Sequence, residues 1–272
     1  MAARAKPFNI SVIGTGYVGL VTGVCLAESG NNVVCIDIDE HKVARMQKGQ
    51  VPIYEPGLEE IFIRNLTRGN LHITTDLKDG IKNADLIFLG LPTPPGEDGS
   101  ADLSYVLSAA EELGKLLDHP TIIVNKSTVP VGTTQKIREH VKRHAKVPFD
   151  VVSNPEFLRE GRAVTDFMEP DRIVVGANDQ TAKSTMRQLY APFTSTARPL
   201  IFMDEYSAEL TKYAANTFLA LKISFMNEIA ALCETTGADV DNVRLGISYD
   251  PRIGGHFLFP GIGYGGSCLP KD

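Results

Sequence analysis

One stretch near the N-terminus limits the fold more than any other. Phe8-Asn-Ile-Ser-Val-Ile13 is a short β-rich run that empties into Gly14-Thr-Gly16-Tyr17-Val18-Gly19. A helical pattern runs from Tyr17 to about Ser29 and stops at Gly30, and Asn32-Val-Val-Cys-Ile36 is a second strand closing on Asp37. A glycine-rich turn alone is weak evidence. Set between a strand and a helix, with an acid roughly twenty residues on, it reads as a dinucleotide-binding βαβ unit. Gly14 allows the tight turn, Gly16 leaves room for a pyrophosphate, and Gly19 lets helix and strand pack closely. The helix N-terminus faces the phosphates. Asp37 suits the ribose hydroxyls of NAD and repels the extra phosphate of NADP, so NAD is the expected cofactor.

The alternation continues as one extended, doubly wound α/β sheet. Strands are expected at 71–75, 84–89, 121–125, 149–153, 172–175 and 199–202, with helices after Pro56 and over about 104–117. The near-continuous apolar run Ala84-Asp-Leu-Ile-Phe-Leu89 suits a central parallel strand. Loops at the C-terminal ends of such strands are where open α/β sheets bind ligands. The loops there are Leu91-Pro-Thr93-Pro-Pro-Gly-Glu-Asp-Gly99 and Lys126-Ser-Thr128-Val-Pro-Val-Gly132.

From Asp204 to about Thr236 there is neither glycine nor proline, and Leu210, Tyr213, Ala214, Phe218, Leu221, Phe225, Ile229 and Leu232 recur near the helical period. Asp204 is the expected N-cap and Gly237 the stop. A helix of this length outruns the sheet beside it, so part of its stripe needs another surface. The reading favoured is a homodimer, against a helix packed wholly within one chain. The expected division is residues 1–202 for the cofactor and 203–272 for a long-helix dimerisation region carrying a cysteine loop.

Composition removes other classes. The 272 residues carry a formal net charge of -6 and no concentrated basic run, which disfavours nucleic acid or an anionic membrane as partner. Residues 1–8 lack the apolar core of a signal peptide, and no segment is long and apolar enough to span a membrane. The four cysteines form no C-x-x-C pair, so no metal site is expected, and the chain reads as cytoplasmic and reduced. Cys25 and Cys35 sit in apolar periodic segments and are expected to be buried packing residues.

Three groups of residues admit two readings each. Gly261-Ile-Gly-Tyr-Gly265-Gly-Ser-Cys268-Leu-Pro-Lys271-Asp272 is either a flexible tail with an incidental thiol or a glycine cradle for a nucleophile. Lys212 and Asn216 share a helix face, solvated or inward. Glu156 and Glu160, in Asn154-Pro-Glu-Phe-Leu-Arg-Glu-Gly161, pass alone for surface acids.

Taken together, five separated motifs resemble the UDP-glucose/GDP-mannose dehydrogenase family, in its order and over almost the whole chain. They are Gly14–Gly19, Lys126–Gly132, Asn154–Gly161, Glu209-Leu-Thr-Lys-Tyr-Ala-Ala-Asn216 and Gly265–Asp272. The loop Pro94-Pro-Gly-Glu-Asp-Gly-Ser-Ala-Asp-Leu103 looks more like the UDP-glucose branch. The resemblance implies a four-electron oxidation at C6 of a nucleotide sugar with two NAD used in succession. Cys268 would attack the aldehyde to give a thiohemiacetal, a second hydride loss would make a thioester, and water would release the acid. A thiol suits this step because an oxygen nucleophile is harder to unmask at neutral pH and gives a less activated ester.

The same resemblance assigns the remaining roles. Lys212 and Asn216 would hold the oxyanion, Asp272 would be the base, and Thr128 and Glu160 would position water. Glu156, Phe157, Leu158, Glu160, Lys212, Asn216, Phe257, Leu258 and Gly265 would contact substrate, and Arg252 would reach it from the other subunit. Tyr17, Val18, Asp37, Lys42, Thr93, Thr128 and Lys271 would contact the cofactor. Family members continue past the aspartate into a nucleotide-sugar-binding domain, whereas this sequence stops at Asp272. It is therefore expected to bind NAD with weak or no turnover, and with a frayed Asp272. The alternatives are a one-step hydroxyacid dehydrogenase using Lys212, action on GDP-mannose or UDP-N-acetylmannosamine, and a non-catalytic NAD-binding dimerisation module.

Overall fold

The computed structural model describes residues 6–266 and 268–272; residues 1–5, part of the signal-peptide reading, and Ser267 lie outside them. The elements are β1 (Asn9–Ile13), α1 (Tyr17–Glu28), β2 (Asn32–Ile36), α2 (Glu40–Gln47), α3 (Leu58–Arg68), β3 (Leu71–Thr74), α4 (Leu77–Gly80), β4 (Leu86–Leu89) and α5 (Ser104–Leu116). They continue as β5 (Thr121–Asn125), α6 (Thr133–Lys142), β6 (Phe149–Ser153), α7 (Ala163–Met168), β7 (Ile173–Gly176), α8 (Gln180–Tyr190), a 3-10 turn Ala191–Phe193, β8 (Leu200–Met203), α9 (Glu205–Thr236) and α10 (Val240–Ser248). The described residues divide into two compact units, Met1–Leu210 and Thr211–Asp272, with the break inside α9.

The first unit is built on an 8-stranded sheet of order β3-β2-β1-β4-β5-β6-β7-β8. Strand neighbours run parallel except β6 and β7, which meet antiparallel at Ser153 and Gly176. The link between those two strands runs from Asn154 to Arg172 and holds the 6-residue α7. Side chains alternate between two cores, as the period of a strand dictates. Ile10, Val12, Val33, Cys35, Leu86 and Phe88 pack on the face covered by α1, α3, α7 and α8. Ile13, Ile36, Ile87, Leu89, Ile123 and Val151 pack on the other, under α5 and α6. Cys25 and Cys35 belong to the first core, where burial pushes the Cys35 thiol up to about 12 and removes its reactivity.

The crevice between β1 and β4 is where the strand order reverses. Its walls touch closely, because a Cβ on Gly14 would lie 2.6 Å from the Gly90 carbonyl oxygen and one on Gly19 would lie 1.9 Å from that of Gly14. Both positions exclude every side chain, which is the packing reason for those two glycines.

The 32-residue α9 is about 48 Å long at 1.5 Å per residue. Asp204 caps it by accepting from the Ser207 amide and hydroxyl at 2.9 and 2.6 Å, and Gly237 ends it at φ 77°. Its first turns are tied into the first unit. Glu205 pairs with Arg138 of α6, and Glu209 accepts from the Gly132 and Thr134 amides at 2.6 and 2.7 Å. Much of the apolar stripe read from the sequence faces outward: Leu210, Phe218, Leu221, Phe225 and Leu232 are exposed. The buried face instead runs through Ala208, Lys212, Asn216, Ala220, Met226 and Cys233.

Candidate active site

The cofactor half of the site grows from the end of β1. Gly16, the N-cap of α1, has open space where its Cβ would stand, and the first turn of α1 has neither a side-chain cap nor an acidic residue. Free amides at a helix start, with the dipole behind them and room in front, suit a pyrophosphate. At the end of β2, Asp37 is gripped from several sides. Its Oδ2 accepts from the Thr15 amide at 2.9 Å, the Thr15 hydroxyl and Lys42 Nζ at 2.8 Å, and its Oδ1 accepts from the Asp39 amide at 3.1 Å. Burial opposes the charge, but Lys42 and Thr15 outweigh it and hold the carboxyl down to about 2. Asp37 is thus a fixed anion whose Oδ1 keeps the greater spare acceptor capacity for ribose hydroxyls. Ile38 beside it is 89% exposed and offers an apolar surface to a flat ring. The sequence reading missed Ile38, although its position straight after the strand-ending acid was a usable signal. These features fit NAD, whose ribose Asp37 would meet beside Thr15 and Lys42 and whose phosphates the turn at Gly16, Tyr17 and Val18 would hold.

Thr93 and Thr128 come from the loops after β4 and β5 and meet directly. The Thr93 hydroxyl donates to the Thr128 carbonyl at 2.8 Å. Beyond β6, Asn154 is fully buried; its Oδ1 accepts from Tyr190 at 2.5 Å and from Lys126 Nζ at 3.3 Å, while its amide donates to the Val174 carbonyl at 2.8 Å. That clamp fixes the start of the acidic loop. Glu156 is buried and accepts from the Leu158 amide at 2.6 Å, and Phe157 lies 3.8 Å under the Arg172 guanidinium in a cleft of about 50 Å³. Glu160 is exposed. The two acids therefore differ, since Glu156 shapes the loop while Glu160 reaches solvent.

In the second unit, Lys212 and Asn216 are 4% and 9% exposed, which settles the inward placement of that face of α9. Asn216 Nδ2 donates to Asp272 Oδ2 at 2.7 Å, and Lys271 Nζ lies 2.5 Å from Asp272 Oδ1. The Cys268 carbonyl accepts from the amides of Lys271 and Asp272 at 3.1 and 2.9 Å, closing a single turn from Cys268 to Asp272. The expected fraying of Asp272 is therefore corrected. Its side chain is 1% exposed, held by a hydrogen bond from Asn216 at Oδ2 and by the charge of Lys271 beside Oδ1. Cys268 itself is exposed.

Other residues expected to contact substrate are dispersed. Leu258 is buried, Phe257 takes a positive φ of 63° unusual for a bulky residue, and Gly265 lies in an exposed run. Arg252 is 86% exposed at its side chain and lies in a fork on Asp250, with Nη2 to Oδ2 at 2.6 Å and Nε to Oδ1 at 3.0 Å. No helix among the described residues is long and apolar enough to cross a membrane.

Comparison with known proteins shows the family. The NAD binding domain of the UDP-glucose/GDP-mannose dehydrogenase family matches residues 8–194, and the central domain of that family matches residues 206–272. A UDP-glucose 6-dehydrogenase of Pseudomonas aeruginosa is 52% identical over 269 residues, covering 97% of this chain and 59% of that protein. The solved UDP-glucose dehydrogenase of Pyrobaculum islandicum superposes with a TM-score of 0.95 at 43% identity, over 100% of this chain and 63% of the other. A GDP-mannose dehydrogenase of Pseudomonas aeruginosa superposes with a TM-score of 0.82 at 33% identity, over 96% of this chain and 62% of the other. The chain thus spans about 60% of the length of these relatives. Its strand–glycine turn–helix core, its NAD-binding domain and its central domain make the chain a member of the UDP-glucose/GDP-mannose dehydrogenase family.

Proposed function

We propose that this chain supplies the NAD-binding and cysteine-bearing part of an enzyme that oxidises C6 of UDP-glucose to the carboxylate in two steps. Residues 1–202 serve the cofactor, and residues 203–272 carry the dimerisation helix and the reactive loop. NAD, when bound, takes up the hydride at each oxidation. The first oxidation removes a hydride and a proton from the C6 alcohol and leaves an aldehyde. The Cys268 thiolate adds to that carbonyl carbon, and Lys212 and Asn216 stabilise the resulting oxyanion. Loss of the second hydride leaves a thioester. Asp272 takes a proton from a water, a task for which the family resemblance gives Thr128 and Glu160 as water-positioning residues; the water oxygen bonds to C6, and the thiolate departs with its electron pair.

The observation that carries this reading is the closed turn from Cys268 to Asp272, with Asn216 donating to that aspartate at 2.7 Å. These bonds tie the turn that carries Cys268 and Asp272 to Asn216 of α9, whereas a flexible tail would hold none of them in register. The outward apolar face of α9, with Phe218 at 60% and Leu221 at 58% exposure, supports a homodimer through this helix. In that dimer Arg252 reaches the substrate of the partner, which accounts for an arginine held out in solvent. A cytoplasmic location fits the cysteine usage.

The test is an absorbance assay on a form extended by the C-terminal region that the relatives possess, offered UDP-glucose, GDP-mannose and UDP-N-acetylmannosamine. Two NADH formed per UDP-glucose are expected, with little from the other sugars. One NADH per sugar would remove the cysteine mechanism, and preference for another sugar would replace the substrate. Sedimentation of Leu221→Glu beside the unchanged chain tests the dimer, with a shift to monomer expected.

A further inference from the structure

The acidic loop and the phosphate-binding turn are sewn together by a residue in neither motif. Glu55 lies in Val51-Pro-Ile-Tyr-Glu55-Pro-Gly57, ahead of α3, and is 5% exposed. Pro56 confines its backbone to an extended conformation, and Gly57, at φ 79°, turns the chain into α3. The carboxylate Oε1 accepts from the Ala163 amide at 2.8 Å. Its Oε2 accepts from the Gly161 amide at 2.9 Å and from the Tyr17 hydroxyl. Tyr17 is the first residue of α1, directly after Gly16, and its hydroxyl also lies 3.4 Å from the Arg159 carbonyl. Burial and the neighbouring Glu55 hold the Tyr17 phenol well above its usual range, so it stays protonated and donates. The Gly161 amide belongs to the peptide that joins it to Glu160, so Glu55 grips Glu160 through one covalent neighbour.

We infer that Glu55 is a positioning residue that couples the phosphate turn at Tyr17 to the acidic loop at Glu160, so that NAD binding and the order of that loop depend on each other. The inference rests on NAD binding at this turn and goes beyond it. A carboxylate suits the task because all three partners are donors. The isosteric amide would set an NH2 group against one of them, and a buried donor facing a donor leaves both unsatisfied.

The experiment uses this chain as it stands. NADH affinity is read by fluorescence, and amide hydrogen exchange of residues 155–168 is followed with and without NADH, for the unchanged chain, Glu55→Gln and Tyr17→Phe. In the unchanged chain NADH should slow exchange across the loop. Glu55→Gln should bind NADH about tenfold more weakly and lose that protection, and Tyr17→Phe should lose about threefold with partial loss of protection. Affinities within twofold of the unchanged chain, with protection retained in folded variants, would overturn the inference. A Glu55 that merely stabilises the fold would lower the thermal midpoint without changing affinity or protection well below it. Tyr17→Phe removes a single hydroxyl and keeps the test decisive if Glu55→Gln fails to fold. If the unchanged chain binds no NADH, the cofactor reading fails and this inference falls with it.

Discussion

The two units place their functional groups by different means. In the unit Met1–Leu210, acids act as fixed parts of the frame. Asp37 sits at a strand end with four donors on it, and Glu55 and Glu209 are 5% and 2% exposed and held mainly by backbone amides. Backbone donors cannot rotate away, so these charges gain precision from the sheet itself. In the unit Thr211–Asp272, the groups stand on one helix face and one turn. Side chains of the helix and of the turn meet there across hydrogen bonds such as Asn216 to Asp272. That unit also shows water much apolar surface, with Phe225 at 48%, Tyr249 at 81% and Ile262 at 113% exposure. The first unit buries what it folds around; the second leaves much of its apolar surface exposed.

The contrast is sharpest at the thiol. In the extended form, Cys268→Ala should abolish uronic acid formation by at least a thousandfold, because the covalent step has no substitute. Counting NADH per sugar checks it, and two NADH from the variant would show that the second unit carries no nucleophile.

A smaller but purely structural effect is expected in the first unit. Glu209→Ala strips acceptors from the Gly132 and Thr134 amides and from the Thr134 hydroxyl. Leaving buried donors unmet should cost about 2–3 kcal/mol, read as a lower denaturant midpoint. An unchanged midpoint would mean that the frame does not depend on its buried acids.

Asp37→Ala should weaken NADH binding by about tenfold while bringing NADPH closer to NADH, since the repelling charge is gone. Titration of both cofactors measures this, and an unaltered ratio would remove Asp37 from cofactor choice.

Asp37 also makes the smallest predicted effect, through pH. Its folded carboxyl is held down to about 2, below the unfolded value near 4, so its contribution is fully present above about pH 4. That contribution is lost as pH falls toward 2, on the order of 1 kcal/mol after allowance for its partial exposure. The slope of stability against pH over that window should flatten in Asp37→Asn.

Much of the fold was legible because its signals are local. Apolar runs of four to six residues, glycine turns and one helix cap placed the strands and the long helix within a residue or two. NAD binding was legible for the same reason, since Gly14, Gly16, Gly19 and Asp37 lie within one βαβ unit. Pairing direction was not. The antiparallel contact of β6 with β7 depends on the path the chain takes between them, and strand composition carries no trace of that. Nor was the orientation of α9. Periodicity marked an apolar stripe longer than the sheet beside it, but it left Lys212 and Asn216 either solvated or inward, and only the folded chain puts them inside.

The sequence by itself determined the family, the cofactor and the residue types of the proposed chemistry, because these rest on short motifs whose meaning survives without coordinates. Only the tertiary structure decided which side chains serve as frame. Glu55 reaches Gly161 across 106 positions, and Glu209 reaches Gly132 across 77. A hydrogen bond between distant positions leaves no periodicity behind, so an isolated glutamate in the sequence becomes the buried joint of two loops only when the chain is folded.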